Sequence, residues 1–217
     1  MFDTIIKELK NTSAQLVAVS KTKPNAQLLE LYDKGQRVFG ENYVQELVDK
    51  HASLPKDIEW HFIGHLQSNK VKYIAPFVTM IHSVDSFKLL QEIDKQAIKN
   101  NRIIKCLLQF HIAEEDTKFG FDTEGVENFI NSDAFKALKN VELCGVMGMA
   151  TFTDNKTQVQ REFQTLKRIF DRLKTQYFVE KGVFKDISMG MSDDYKLAIA
   201  EGSTMVRIGS LIFGKRV

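Results

Sequence analysis

The stretch VAVSKTKP, residues 17–24, predicts a first strand and a candidate functional lysine, and the rest of the chain is interpreted from it. Together with Gln15 and Leu16 it forms a short apolar run that Pro24 ends, a pattern typical of a buried parallel strand leading into a loop. Such a strand leaves Lys21 with its stem beside an apolar core and its amine at the strand end. Desolvation at such a position lowers the pKa of an amine and makes it nucleophilic toward aldehydes. The alternative is that Lys21 and Lys23 are solvated loop residues.

The composition is that of an ordinary globular protein. The 217 residues are 43% hydrophobic and 27% charged, and 30 Lys and Arg against 28 Asp and Glu leave a net charge of +2. This balance argues against a nucleic-acid or membrane-surface protein, and no apolar run approaches the roughly 18 residues of a membrane span. Cys106 and Cys144 lie in apolar runs and match no metal-binding spacing. We therefore expect a cytoplasmic protein with reduced cysteines and neither nucleic-acid nor membrane partners.

Eight short apolar runs with strand character alternate with helical stretches. The predicted strands are residues 15–19, 37–40, 58–64, 78–84, 102–112, 141–149, 186–189 and 205–208. An amphipathic helix is predicted over 2–11, a helix capped by Asn25 after the first strand, and a long helix over 158–178.

Because every connection is short, the strands must be parallel, with right-handed crossovers. Eight such units close most economically into an α/β fold, a single (β/α)8 TIM barrel over 1–217, without a second β domain. The alternative fold is a doubly wound open sheet, but the G-x-G-x-x-G motif typical of dinucleotide-binding sheets of that kind does not follow the first strand.

Two glycine–serine segments follow the last two strands, where such barrels commonly bind phosphate. Ser188-Met189-Gly190-Met191-Ser192 follows the seventh strand, and Arg207-Ile208-Gly209-Ser210 ends the eighth. Glycine allows close backbone approach and serine hydroxyls donate hydrogen bonds. Each segment alone is more often a simple turn, whereas two of them on neighbouring strands predict a phosphate site.

The first strand is the neighbour of the eighth when the barrel closes, so Lys21 faces the same mouth as this phosphate site. A phosphate anchor beside a nucleophilic amine predicts a phosphorylated aldehyde held as a Schiff base, and pyridoxal 5'-phosphate (PLP) fits that description. Arg207 would then hydrogen-bond the pyridine nitrogen; the alternative is an ion pair in the barrel wall.

Five motifs resemble those of the pyridoxal phosphate homeostasis proteins, which share the barrel of alanine racemase. They are VAVSKTKP (17–24), FGENYVQE (39–46), WHFIGHLQSNK (60–70), SMGMSDD (188–194) and GSTMVRIGSLIFG (202–214). The resemblance runs in order over nearly the whole chain. It implies a barrel of the alanine racemase N-terminal type with PLP as cofactor.

The resemblance also implies roles for individual residues. Lys21 would form the PLP aldimine, Asn42 would lie near the ring oxygen and Arg207 at the ring nitrogen. The phosphate would be surrounded by Ser188, Gly190, Ser192, Gly209 and Ser210. One departure is His111, where the family more often has asparagine; it either reaches the ring face or lies in the barrel wall.

Other candidates are weaker. His61 and His65 are four residues apart, but the intervening Phe-Ile-Gly indicates a strand, so a shared helical face for a metal is not expected. Lys118 follows the fifth strand and either reaches the mouth or is a solvated loop residue.

Amino-acid chemistry on PLP usually needs a second acid–base group, and in the racemases a second domain supplies it. We therefore expect a PLP-binding protein in intracellular vitamin B6 homeostasis and delivery, without robust catalysis, monomeric, with apo PLP-dependent enzymes as recipients. The alternatives are a PLP-dependent amino-acid racemase or lyase and, third, a Schiff-base aldolase acting on a sugar phosphate.

Overall fold

The eight predicted strands form a closed parallel barrel in chain order, β1 to β8, as the alternating pattern predicts. A computed structural model of the chain describes residues 1–114, 120–180 and 182–214. The strands are β1 Gln15–Val19, β2 Val38–Glu41, β3 Glu59–Phe62, β4 Met80–Val84, β5 Ile104–Gln109, β6 Val141–Met147, β7 Asp186–Ser188 and β8 Met205–Ile208.

Helices cover the outside of the barrel. They are α1 Phe2–Leu9, α2 Asn25–Asp33, α3 Val44–Ser53, α4 Val71–Ile74, α5 Phe87–Lys99, α6 Thr123–Ile130, α7 Asp133–Lys136, α8 Lys156–Tyr177, α9 Tyr195–Ala200 and α10 Ser210–Phe213, with a 3₁₀ turn at Ser68–Lys70. None of the helices in the described part of the chain is long and apolar enough to cross a membrane.

Alternation along the strands separates two buried clusters, because successive side chains point to opposite faces of a sheet. One cluster fills the lower barrel interior with residues from six strands: Val17, Val38, Met80, Leu107, Cys144, Met147 and Met205. The larger cluster joins the outer face of the barrel to the helices and includes Phe39, Trp60 and Phe62. Both cysteines are buried free thiols, as predicted.

Two sequence predictions of local structure were wrong in detail. Asn25 is not a helix cap: α2 begins at Asn25 itself after Pro24, and the Asn25 side chain donates instead to Ser53 Oγ at 2.9 Å. The third and sixth strands end at Phe62 and Met147, two residues earlier than predicted, because the chain leaves the sheet at the mouth of the barrel although its residues remain apolar.

Candidate functional site

Closure of the barrel brings the end of the first strand against the end of the last. In the register between them, Val17 lies opposite Arg207 and Ala18 opposite Ile208. A Cβ added at Gly209 would lie 3.0 Å from the Val19 carbonyl oxygen, so the two strand ends touch through a glycine. Lys21 begins the loop immediately beyond this contact, on the same rim as Gly209 and Ser210.

The loop that carries Lys21 has a strained backbone. Thr22, the next residue, has φ of +63°, a conformation that is rare for a β-branched side chain and costs on the order of 1–3 kcal/mol. The Thr22 amide donates to Glu46 Oε1 at 2.6 Å, which holds it in place. Strain maintained in this way is characteristic of positions where the chain must present a side chain in one direction.

A buried ion cluster lies beneath that loop and ties both neighbours of Lys21 to helix α3. Lys50, which is 5% exposed, donates to the Ser20 carbonyl oxygen at 2.7 Å, Glu41 Oε1 at 2.7 Å and Glu46 Oε1 at 2.6 Å. Ser20 Oγ donates to Glu41 Oε1 at 2.6 Å. Burial raises the pKa of the Glu41 carboxyl, and the Lys50 ammonium acts against that shift. We call these four residues, Ser20, Glu41, Glu46 and Lys50, the Lys50 cluster.

Asn42 follows β2 on the same rim of the barrel. Its Oδ1 is buried without a hydrogen-bond partner among the described residues, so the amide has capacity for a ligand. Asn42 also lines a cavity of about 440 Å³ between the ends of β2 and β3, together with Tyr43, His65 and Lys70. Of the predicted site residues, Asn42 alone is in the lining of this cavity.

Arg207 lies inside the barrel, one layer below the mouth, and is 4% exposed. Its Nη1 donates to the Ser188 carbonyl oxygen at 2.8 Å and to Ser188 Oγ at 2.6 Å, and its Nη2 donates to the Gly148 carbonyl oxygen at 3.1 Å. Burial lowers the pKa of the guanidinium to about 10, which Asp194 opposes, so the group stays charged at neutral pH. No ion pair to Arg207 occurs among the described residues.

Two histidines extend this arrangement across the barrel interior. Ser188 Oγ is 2.9 Å from His82 Nδ1, and His82 Nε2 is 2.9 Å from His61 Nδ1. Burial lowers the pKa of His61 to about 3 and that of His82 well below its usual value, so both rings are neutral at pH 7. We call Arg207, Ser188, His82 and His61 the interior chain. Sequence reasoning missed His82, which lies in an apolar run without a recognisable motif.

The two glycine–serine segments differ in how they are built. Gly190 has φ of +93°, and an added Cβ would lie 2.5 Å from Ala198 Cβ, so the turn packs tightly against α9. The Met191 amide donates to Asp194 Oδ1 at 2.5 Å. Ser192 is half-buried and Ser210 exposed, whereas the Ser188 hydroxyl is fully buried and already has two partners. A phosphate contact by Ser188 therefore remains a prediction.

The remaining candidates lie outside this arrangement. His111 is exposed just beyond β5, and His65 is exposed, with its Nδ1 3.1 Å from Asp85 Oδ2. His61 lies on strand β3, so His61 and His65 share no helical face, as predicted. Lys118 is outside the described residues. Within the described ranges, no group of three His, Cys, Asp or Glu is placed to hold a metal ion.

Comparison with known proteins supports one family. The family model for the N-terminal domain of alanine racemase matches residues 3–217. A pyridoxal phosphate homeostasis protein of Aquifex aeolicus is 41% identical over 204 residues, covering 94% of this chain and 87% of that protein. The one from Escherichia coli is 38% identical over 208 residues, covering 93% and 85%.

Solved structures support the same family. PipY of Synechococcus elongatus, solved with PLP bound, has a TM-score of 0.87 and 35% identity and covers 98% of both chains. Alanine racemase of Bartonella henselae has a TM-score of 0.73 at 16% identity, covering 99% of this chain but 59% of its own, which shows a shared barrel fold alone. This chain belongs to the pyridoxal phosphate homeostasis protein family.

Proposed function

We propose that this chain binds PLP at the mouth of its barrel, as a Schiff base with Lys21, and serves in PLP homeostasis. The observation that carries the proposal is the contact between the ends of β1 and β8. It puts an amine, a charged guanidinium and a glycine–serine turn on adjacent strand ends. The relatives named pyridoxal phosphate homeostasis proteins and the PLP-bound PipY structure support the same ligand.

The donor set fits this cofactor. When bound, PLP supplies an aldehyde that condenses with amines. Lys21 would provide the amine, and Asn42, whose amide oxygen is buried without a partner, would lie at the ring oxygen. Arg207 would donate to the pyridine nitrogen. Gly190 and Gly209, where a Cβ would meet Ala198 or Val19, allow the close packing of the rim on which the phosphate would bind.

The same donor set favours storage and delivery over catalysis. A guanidinium can donate but cannot accept a hydrogen bond, so Arg207 would keep the pyridine nitrogen of bound PLP unprotonated and would weaken the ring as an electron sink. We therefore infer that the chain holds PLP and passes it to apo-enzymes that need it, and that it performs no robust amino-acid chemistry.

The test is the visible spectrum of the protein mixed with PLP, followed by borohydride reduction and peptide mass analysis. We expect a yellow Schiff-base band and a reduced phosphopyridoxyl adduct on Lys21, both absent in Lys21→Ala. Lys23→Ala is the matched control: it lies two residues away, and its amine donates to the Phe213 and Gly214 carbonyl oxygens at 3.1 and 3.2 Å. Unchanged spectra in Lys21→Ala, or an adduct on Lys23, would overturn the assignment.

Catalysis is tested separately with α-deuterated amino acids followed by NMR. We expect no loss of deuterium to solvent that depends on Lys21. Turnover of about one per second, at the low end of ordinary enzymes, would instead establish the racemase or lyase alternative. A sugar phosphate trapped on Lys21 by borohydride in a protein that takes up no PLP would establish an aldolase.

A further inference from the structure

The interior chain crosses the barrel between two pairs of consecutive strands, β3 with β4 and β7 with β8, that are far apart in sequence. It runs from Arg207 on β8 to Ser188 on β7, then to His82 on β4 and His61 on β3, with each link between 2.6 and 2.9 Å. All four side chains are at most 4% exposed. The proposed function uses Arg207, but it gives no task to the two histidines behind it.

The direction of the hydrogen bonds follows from Arg207. Because a guanidinium has only donors, Ser188 Oγ must accept from Arg207 Nη1. The serine proton then goes to His82 Nδ1, the other polar atom in contact with Ser188 Oγ among the described residues. His82 must carry its own proton on Nε2 and donate it to His61 Nδ1, which leaves the His61 proton on Nε2.

The opposite direction is unfavourable for two reasons. If His82 Nδ1 donated to Ser188 Oγ, the serine proton would be buried without an acceptor among the described residues, which costs about 1–3 kcal/mol. It would also turn a positive N–H end toward the buried guanidinium, whereas the first direction points every proton away from that cation. Both rings are neutral, so each carries a single proton and the two directions exclude each other.

We propose that His82, held by His61, is a positioning residue for Arg207: through Ser188 it fixes the guanidinium so that a remaining N–H donor faces the pyridine nitrogen of bound PLP. This inference rests on the proposed function. The hydrogen bonds to Ser188 and Gly148 account for three of the five guanidinium donors. His82 therefore acts on the cofactor only through Ser188 and Arg207. Its loss should weaken recognition of the ring nitrogen but not of the aldehyde or the phosphate.

The direction of the chain is tested on the protein without PLP. Nitrogen-15 NMR of labelled histidine distinguishes the two neutral tautomers of each ring. We expect His61 and His82, assigned by single substitutions, both protonated on Nε2 and unprotonated on Nδ1. A proton on His82 Nδ1 would reverse the chain and overturn the proposal, whether or not PLP binds.

The positioning role is tested by comparing the dissociation constants of PLP and 1-deazapyridoxal 5'-phosphate, in which carbon replaces the ring nitrogen. A hydrogen bond from a charged donor should make the wild type prefer PLP by about tenfold or more. We expect His82→Phe to lose most of that preference by weakening PLP binding alone, and His82→Gln, whose amide oxygen can accept from Ser188, to retain more of it. An unchanged preference in His82→Phe, or equal weakening of both ligands, would overturn the role.

If His82→Phe does not fold, Ser188→Ala removes the same link and is expected to lose the preference for PLP. A wild type that binds both ligands equally would show that Arg207 does not recognise the ring nitrogen, and would also overturn the inference. A wild type that binds neither ligand would instead overturn the proposed function, while the tautomer measurement would still decide the direction of the interior chain.

Discussion

Gly190 and Gly35 have nearly the same backbone conformation, with φ of +93° and +96°, but very different surroundings. An alanine Cβ at Gly190 would lie 2.5 Å from Ala198 Cβ and 3.1 Å from Tyr195 Cα, whereas nothing lies within 4 Å at Gly35. Gly35→Ala should therefore cost about 1–2 kcal/mol through its backbone alone. Gly190→Ala should cost about 1–3 kcal/mol more through overpacking.

Urea unfolding of the two variants measures this difference, and PLP titration adds a second readout. We expect Gly190→Ala to bind PLP more weakly and Gly35→Ala to bind it as the wild type does, because Gly35 follows α2 at the other end of the barrel. Equal losses of stability in both variants would show that the turn at Gly190 has room to relax.

His61 and His82 make stability depend on pH. Their folded pKa values, about 3 for His61 and well below the usual value for His82, lie under the unfolded value of about 6.5. Between these values the unfolded state binds more protons, so stability is full above pH 6.5 and is lost as pH falls. At pH 5 His61 alone should lower the free energy of unfolding by about 2 kcal/mol, and His82 adds to that loss.

Urea unfolding between pH 7.5 and 5 measures that loss. His61→Gln removes one of the two groups, so its fall in stability across this range should be about 2 kcal/mol smaller than that of the wild type. Other titrating groups cancel in the comparison. Parallel curves for the wild type and His61→Gln would mean that His61 has the same pKa in the folded and unfolded states.

At this scale the sequence predicted residues at strand ends and missed residues in strand interiors. Lys21 and Arg207 were recognisable because they lie at or near the ends of predicted strands, whereas Asn42 was predicted only through the family resemblance. The contact of His82 with Ser188 joins residues 106 positions apart. It depends on the relative shift of eight strands, which no local pattern specifies.

The loop between β1 and α2 takes its shape from α3 through the Lys50 cluster. Lys50→Met would leave Glu41 buried without its cation, and breaking a buried ion pair in this way costs about 3–5 kcal/mol. Lys34→Met is the matched control, because Lys34 pairs with Asp3 at the surface at 3.4 Å. Such exposed pairs contribute about 1 kcal/mol or less.

Chemical denaturation at pH 8 and pH 5 measures both variants. Burial raises the pKa of Glu41, and losing Lys50 raises it further, so the cost of keeping Glu41 ionised is present at high pH. That cost disappears as pH falls toward the unfolded value. The deficit of Lys50→Met should therefore be smaller at pH 5 than at pH 8. A deficit equal to that of Lys34→Met would show that water reaches Lys50.

Elements were more predictable than their boundaries. Short apolar runs identified all eight strands, since parallel strands are buried on both faces. Because these strands are apolar throughout, the sequence does not show where they end: β3 ends at Phe62 although Ile63 is equally apolar. The Lys50 cluster was missed for a related reason, because Glu41, Glu46 and Lys50 look like solvated charges until α3 is packed against β2.

At the scale of the whole molecule, the proposed site is made by residues from the two ends of the chain. Lys21 follows the first strand, Arg207 lies in the last, and Gly209 and Ser210 follow it, so the proposed site requires a barrel closed between β1 and β8. Barrel closure was predictable from the alternation of elements, and with it the meeting of these residues. A ligand that spans them binds the folded state and not the unfolded chain, which couples its affinity to global stability.

Thermal unfolding with different ligands therefore tests the proposed site as a unit. At one hundred times its dissociation constant, PLP should stabilise the wild type by about 2.7 kcal/mol, which for a chain of this size raises Tm by about 5–10 °C. Pyridoxine 5'-phosphate has an alcohol in place of the aldehyde, so at equal concentration it should raise Tm less, through phosphate and ring contacts alone. In Lys21→Ala the two ligands should give equal shifts, because the Schiff base is lost and the other contacts remain. Equal shifts in the wild type would instead mean that the aldehyde plays no part in binding. No shift with either ligand would overturn the proposed site, because any ligand bound only by the folded state raises Tm.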